Sequence, residues 1–146
     1  MKRAPFWLTG AMVLLVGVGA LAEPMTIDEV VAAARADVDF VGNAYLKQRL
    51  ASNPDLVLLD VRSESEFAAG HIPHARSVPR GVAEFSVARS VRSADTEIVV
   101  YCRTGSRAAL VTKALLGQGY HNVRAHDGFE TWEAEEPVEV GAPAED

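Results

Sequence analysis

The sequence predicts an α/β fold with a mostly parallel sheet, and two observations predict it. Residues 56–61, Leu-Val-Leu-Leu-Asp-Val, and 98–101, Ile-Val-Val-Tyr, are short runs, apolar but for Asp60, with the length of strands buried on both faces. Segments with helical patterning and their own start and stop signals alternate with such runs. A parallel sheet with crossover helices requires that order.

Taken in turn, Thr26-Ile27-Asp28-Glu29 is a capping box that opens a helix through about residue 36. Residues 38–41 are expected as a brief edge strand. Asn43 is expected to cap a second helix over 44–51, with Tyr45, Leu46 and Leu50 as its apolar stripe. Asn53-Pro54-Asp55 is a turn into the first buried strand. Ser63 starts a polar helical turn to Ala69, stopped by Gly70. Pro73 holds Ile72 extended, residues 77–79 leave room for a short strand, and a helix follows over 82–89. After the second buried strand, residues 108–116 are apolar on nearly all sides, as a helix packed on a sheet would be, and Gly117 and Gly119 end it. Residues 123–126 are the last strand. Phe129 and Trp132 then share one face of a final helix, where Trp132 reads as core.

The first 22 residues stand apart. Lys2 and Arg3 make a positive start, residues 6–22 are uncharged and apolar, and Ala20-Leu21-Ala22 fits the small-x-small rule for signal peptidase. That stretch falls short of the roughly 20 residues a spanning helix needs. Residues 1–22 are therefore expected to be a signal peptide cleaved after Ala22, with an exported, most simply periplasmic, domain. An uncleaved segment would be the chain's one membrane attachment. The expected organisation is 1–22 signal peptide, 23–37 helical extension, 38–140 globular domain and 141–146 polar tail. Without Lys2 and Arg3, 12 basic residues face 20 acidic ones, a net charge of −8. Nucleic acid and anionic lipid want a basic face, so neither is an expected partner. Oligomeric state is left open.

Cys102 is the only cysteine in the 146 residues. Exported proteins normally use cysteines in pairs, so a lone one is either a small buried hydrophobe or a reactive group. Its surroundings favour the second reading. Cys102 follows a buried strand, and Arg103, Thr104, Gly105, Ser106 and Arg107 lead directly into a helix. A tight loop at a helix N-terminus can turn several backbone N–H groups toward the sulfur, and the two guanidinium groups favour an anion there. The pattern is a nucleophile in an anion cradle at the carboxyl end of a strand, where open parallel sheets place their sites.

These residues resemble a known family. Residues 58–75, Leu-Leu-Asp-Val-Arg-Ser-Glu-Ser-Glu-Phe-Ala-Ala-Gly-His-Ile-Pro-His-Ala, look like the N-terminal signature of the rhodanese (thiosulfate sulfurtransferase) family. Residues 100–108 are similar to its active-site loop, and Gly128-Phe129, Trp132 and Pro137-Val138 to its closing motif. The resemblance covers about residues 40–140. It implies a rhodanese-like three-layer fold, a five-stranded sheet flanked by helices, and Cys102 as the residue that becomes a persulfide. It further implies that Arg103 to Arg107 hold an anionic sulfur donor and the persulfide. The sequence itself gives no sign of a cofactor, and no metal is expected. The partners implied are a small-molecule sulfur donor and a thiophilic acceptor, which includes a protein thiol. Three departures fall in turns: Asp127-Gly128 for Gly-Gly, His74-Ala75 for Gly-Ala, and Glu136 for a glycine before Pro137.

Asp60, Arg62 and His71 are expected as structural support near the site. Arg62 either pairs with Glu66 four residues on or anchors Asp60. His71 and His74 have a metal-pair spacing, but Pro73 breaks any helix between them; the resemblance implies that His71 supports the wall of the site. Competing functions are a cysteine phosphatase or arsenate reductase, whose loops have five residues between Cys and Arg where this chain has four, a non-catalytic binding module, and a persulfide carrier.

Overall fold

The computed structural model describes residues 23–141, so the signal-peptide reading of residues 1–22 and most of the 141–146 tail lie outside the described residues. Five strands, β1 (Phe40–Val41), β2 (Val57–Asp60), β3 (Arg76–Ser77), β4 (Ile98–Tyr101) and β5 (Val123–His126), form one sheet in the order β1-β5-β4-β2-β3. Every strand pair is parallel. Six helices connect them: α1 (Ile27–Ala36), α2 (Asn43–Ser52), α3 (Glu64–Ala69), α4 (Ala83–Ser90), α5 (Ser106–Gly117) and α6 (Phe129–Glu133).

Side chains alternate across the sheet, as a pleated strand dictates. Val57, Leu59, Val61, Ile98, Val100 and Cys102 enter one layer with Ala34 of α1, Val87 of α4 and Val111 and Leu115 of α5. Leu58, Val99 and Tyr101 enter the other with Leu46 of α2 and Phe129 and Trp132 of α6. Trp132 is buried, and its indole N–H donates to the Pro137 carbonyl at 2.9 Å. The apolar runs of β2 and β4 are buried at all four positions because helices cover both faces.

The predicted capping box forms at Thr26 with Glu29, and the helix start read at Ser63 turns out to be a second one, closed by Glu66. Asn43 does not cap α2. Gly42 holds the cap position with no side-chain bond, and Asn43 opens the helix with its amide turned inward. Its Oδ1 lies 3.0 Å from His126 Nε2 and its Nδ2 donates to the Thr131 carbonyl at 3.0 Å. A buried imidazole 83 residues away outbids the local backbone amides for that side chain. The edge strands are two residues each: β1 is shorter than the expected 38–41, and β3 starts one residue earlier than the expected 77–79. A 3-10 turn, Arg80–Val82, precedes α4.

Candidate active site

β4 ends at Tyr101, and after four intervening residues α5 begins at Ser106. Gly105 makes this connection possible. It is the N-cap of α5 at φ 85°, and a Cβ there would stand 2.9 Å from Arg35 Nη1 and 3.0 Å from Phe40 Cε1. The other side of the loop is pinned by the N-terminus of α6. Phe129 N–H donates to the Cys102 carbonyl at 2.7 Å and Glu130 N–H to the Arg103 carbonyl at 3.2 Å. Gly128, at φ 126°, lets the two segments touch: a Cβ there would overlap the Arg103 carbonyl and lie 2.9 Å from Thr104 Cα.

Cys102 is only 1% exposed, at the bottom of this loop. Thr104 is exposed, and Ser106 and Arg107 are half-buried. Among the described residues, none of the backbone N–H groups of Arg103 through Ala108 has a backbone acceptor, and no side chain caps the helix. Those amides carry the positive end of the α5 dipole. The arrangement can hold an anion without any guanidinium.

The two arginines of the loop are not free. Arg107 is gripped by Glu66 through two hydrogen bonds of 3.0 Å, and Arg103 donates to Glu130 at 2.7 Å on the surface. The Arg107 bond is the main cause that holds the Glu66 carboxyl down at about 2, against the opposing effect of burial and with help from Ser63. The same bond raises Arg107 above its usual value, and Cys102 adds to that rise as a smaller contribution. Glu66 thus does two jobs: it closes the α3 capping box and holds the guanidinium of Arg107, five residues past Cys102.

Asp60, Arg62 and His71 take different places. Arg62 anchors Asp60 and does not pair with Glu66. Its Nη2 lies 2.6 Å from Asp60 Oδ2 and 2.6 Å from the Gly70 carbonyl, in a fully buried pair. Its guanidinium stacks 4.0 Å over Phe129, the residue whose amide holds the Cys102 carbonyl. Asp60 and Arg62 therefore reach the loop through Phe129. His71 stacks on Phe67 with ring centroids 3.7 Å apart, with Nδ1 on the Phe67 carbonyl and Nε2 3.4 Å from Glu139. Among the described residues His71 is held by α3 and the C-terminal segment, and not by the cysteine loop.

One supporting residue had no signal in the sequence. His126, at the end of β5, is fully buried, with Nδ1 accepting the Gly128 N–H at 3.1 Å and Nε2 facing Asn43 Oδ1. Accepting at Nδ1 requires the tautomer that donates from Nε2. Burial drives its pKa down to about 4, which Asp127 only partly opposes. A neutral imidazole therefore holds Gly128 where it meets the Arg103 carbonyl. In the sequence His126 is one polar residue at the end of an apolar strand.

The comparisons with known proteins agree with this geometry. Residues 43–135 match the family model described as Rhodanese-like domain. The chain belongs to the rhodanese family. YtwF of Bacillus subtilis, which carries a sulfurtransferase name, is 32% identical over 99 residues, 68% of this chain and 94% of that protein. A thiosulfate sulfurtransferase, GlpE, of Pseudomonas putida is 38% identical over 87 residues, 58% of this chain and 76% of that one. Among solved structures, the polysulfide-sulfur transferase homodimer of Wolinella succinogenes superposes with a TM-score of 0.67 at 30% identity, covering 77% of this chain and 86% of that chain. The five-stranded parallel sheet is the rhodanese-like fold, and the relatives support sulfur transfer as the general activity of this rhodanese domain.

Two of the three family departures now have a local account. His74 sits at φ 68°, in the left-handed region where the family often has glycine, and is the one described non-glycine residue with positive φ. Asp127 does not need a positive φ, since only its neighbour Gly128 has one.

Proposed function

We propose that this rhodanese domain accepts a sulfane sulfur from thiosulfate or a persulfide donor on Cys102 and hands it to a thiophilic acceptor. The observation that carries this reading is Cys102 at the carboxyl end of β4, inside a loop whose successive backbone N–H groups, Arg103 to Ala108, have no backbone acceptor. The Cys102 thiolate attacks the outer sulfur of thiosulfate. A new S–S bond forms, the old one breaks, and sulfite leaves with the electron pair. The resulting persulfide projects its terminal sulfur about 2 Å beyond the buried Sγ, toward the loop mouth. An acceptor thiolate then attacks that terminal sulfur and takes it, and Cys102 departs as the thiolate. The free amides and Arg107 stabilise the negative charge at the sulfur through both halves of the cycle.

Four residues between Cys102 and Arg107 make a smaller cradle than phosphate, with its extra oxygens, requires, so thiosulfate is the expected substrate over an aryl phosphate. The domain is proposed to work outside the cytoplasm, on the strength of the charged start, short apolar core and Ala20-Leu21-Ala22 of residues 1–22.

The test is the intact mass of the protein after brief exposure to thiosulfate. The expected result is a gain of ~32 Da, one sulfur on a nucleophilic thiol, which Cys102→Ser abolishes together with all transfer to cyanide or a thiol. Aryl phosphate hydrolysis through Cys102 without any sulfur uptake would refute the proposal.

A further inference from the structure

The charges of this acidic chain are unevenly settled. Of the 12 basic side chains in the described residues, six form ion pairs: Lys47, Arg49, Arg62, Arg103, Arg107 and Lys113. Two more lie over aromatic rings, Arg35 on Phe40 and Arg124 on Tyr45. The remaining four, Arg76, Arg80, Arg89 and Arg92, are all exposed and have no hydrogen-bond or ion-pair partner among the described residues. They fall together in residues 76–92, a segment with one carboxylate, Glu84.

The same segment exposes apolar surface. Phe85 is 65% exposed and Val82 48% exposed, and Phe85 is the one large aromatic so exposed among the described residues. An open concavity of about 710 Å³ is lined by Arg80, Gly81, Glu84 and Phe85. An arginine-rimmed aromatic is the composition of an interface centre, where Arg and aromatic residues are enriched.

Its position ties it to Cys102. Val78 N–H donates to the Asp60 carbonyl, Arg80 N–H to the Val61 carbonyl, and Val61 N–H to the Tyr101 carbonyl. The 3-10 turn thus leaves the sheet at the carboxyl end where β4 delivers Cys102. α4 then packs at the far, C-terminal end of α5, where Gln118 and Tyr120 bond to backbone carbonyls of Glu84 and Val91.

We propose that the 3-10 turn and α4 form the docking surface for an acidic partner protein that receives the sulfur from Cys102, an inference that rests on Cys102 as the sulfur carrier. The occupant follows from charge and shape. α4 alone is roughly 12 Å long at 1.5 Å per residue, so four arginines spread from residue 76 to 92 are too dispersed for one small anion. One exposed apolar residue on the 3-10 turn, Val82, and one large one on an eight-residue helix, Phe85, are far short of the apolar face by which a helix lies in a bilayer. A protein with several carboxylates around an apolar side chain matches both the rim and the centre. Opposite charge steers such a partner even though the chain as a whole is acidic, because the arginines are local and unneutralised.

The probe is a short cysteine peptide with four glutamates around a central leucine, compared with its counterpart in which glutamine replaces glutamate. The protein is first loaded with thiosulfate, and sulfur transfer to each peptide and to neutral dithiothreitol is timed at low and at 0.5 M salt. The acidic peptide should be at least about tenfold the better acceptor at low salt, and that preference should fade at high salt. Arg80→Glu with Arg89→Glu should remove the preference, and Phe85→Ala should weaken both peptides, while thiosulfate loading and transfer to dithiothreitol stay as in the wild type. A serine version of the acidic peptide, labelled for anisotropy, should bind the wild type and not the double variant. Equal rates for the two peptides in a protein that loads normally would overturn the docking surface and leave the sulfur-carrier reading intact, whereas no loading at all would overturn that reading. Two further results would assign the surface to another occupant and overturn the proposal: concentration-dependent dimerisation abolished by Arg80→Glu, or binding to phosphatidylglycerol vesicles through the same arginines.

Discussion

Acid should weaken this protein through one buried imidazole. His126 titrates near 6.5 in an unfolded chain and at about 4 in the fold, because burial disfavours the imidazolium. Between those two values the unfolded chain holds a proton that the folded chain refuses, so stability rises with pH and is lost as pH falls from 6.5. The linkage relation gives a loss of roughly 1 kcal/mol at pH 5.5 and roughly 3 kcal/mol at pH 4, relative to pH 7.5. Glu66 and Glu97, each held down at about 2, contribute stability that is lost only as pH falls from 4.5 toward 2, so they stay out of most of this window. Urea titrations followed by circular dichroism at pH 7.5, 6.5, 5.5 and 4.5 measure the effect. Glutamine at position 126 can still donate and accept but cannot titrate. The difference in stability between wild type and His126→Gln should therefore shrink by the stated amounts, with every other titrating group cancelling. Because protonation of the folded imidazole removes the acceptor for Gly128 N–H, sulfur transfer should decline only as pH falls through about 4. A pH-independent difference between the two proteins would refute the reasoning.

Other perturbations have expected outcomes of their own. Arg107→Ala should lower the kcat/KM for thiosulfate by roughly ten- to a hundredfold, the value of a charge-assisted contact of ~1.5–3 kcal/mol, while leaving some persulfide formation measurable by mass. Arg103→Ala should cost less, since Arg103 is exposed and turned toward Glu130; equal losses for the two in steady-state kinetics would reverse that order. Gly128→Ala should destabilise the fold by at least about 2 kcal/mol in urea and suppress transfer, because the clash is with the Arg103 backbone, which cannot swing aside. His74→Gly should stabilise by up to about 1 kcal/mol, the relief of a left-handed backbone less the entropy glycine adds to the unfolded chain, and leave kcat unchanged.

Most of the frame was legible in the sequence because its signals are local. Continuous apolar runs marked β2 and β4, Thr26 and Ser63 marked helix starts, and the short interval from Cys102 to Arg107 marked a loop that opens a helix. Each depends on residues within a turn or two, so backbone sterics and hydrogen bonding fix it before the chain folds over. Only the tertiary structure decided what each charge faces. Glu66 meets Arg107 41 residues away, Glu130 meets Arg103 27 residues away, and Asn43 leaves its local cap role to serve His126 83 residues on. The same holds for the arginines that remain unpaired around α4, since a side chain's lack of a partner depends on what the rest of the chain brings near it. Charge and burial are summed over space, and sequence spacing does not carry that sum.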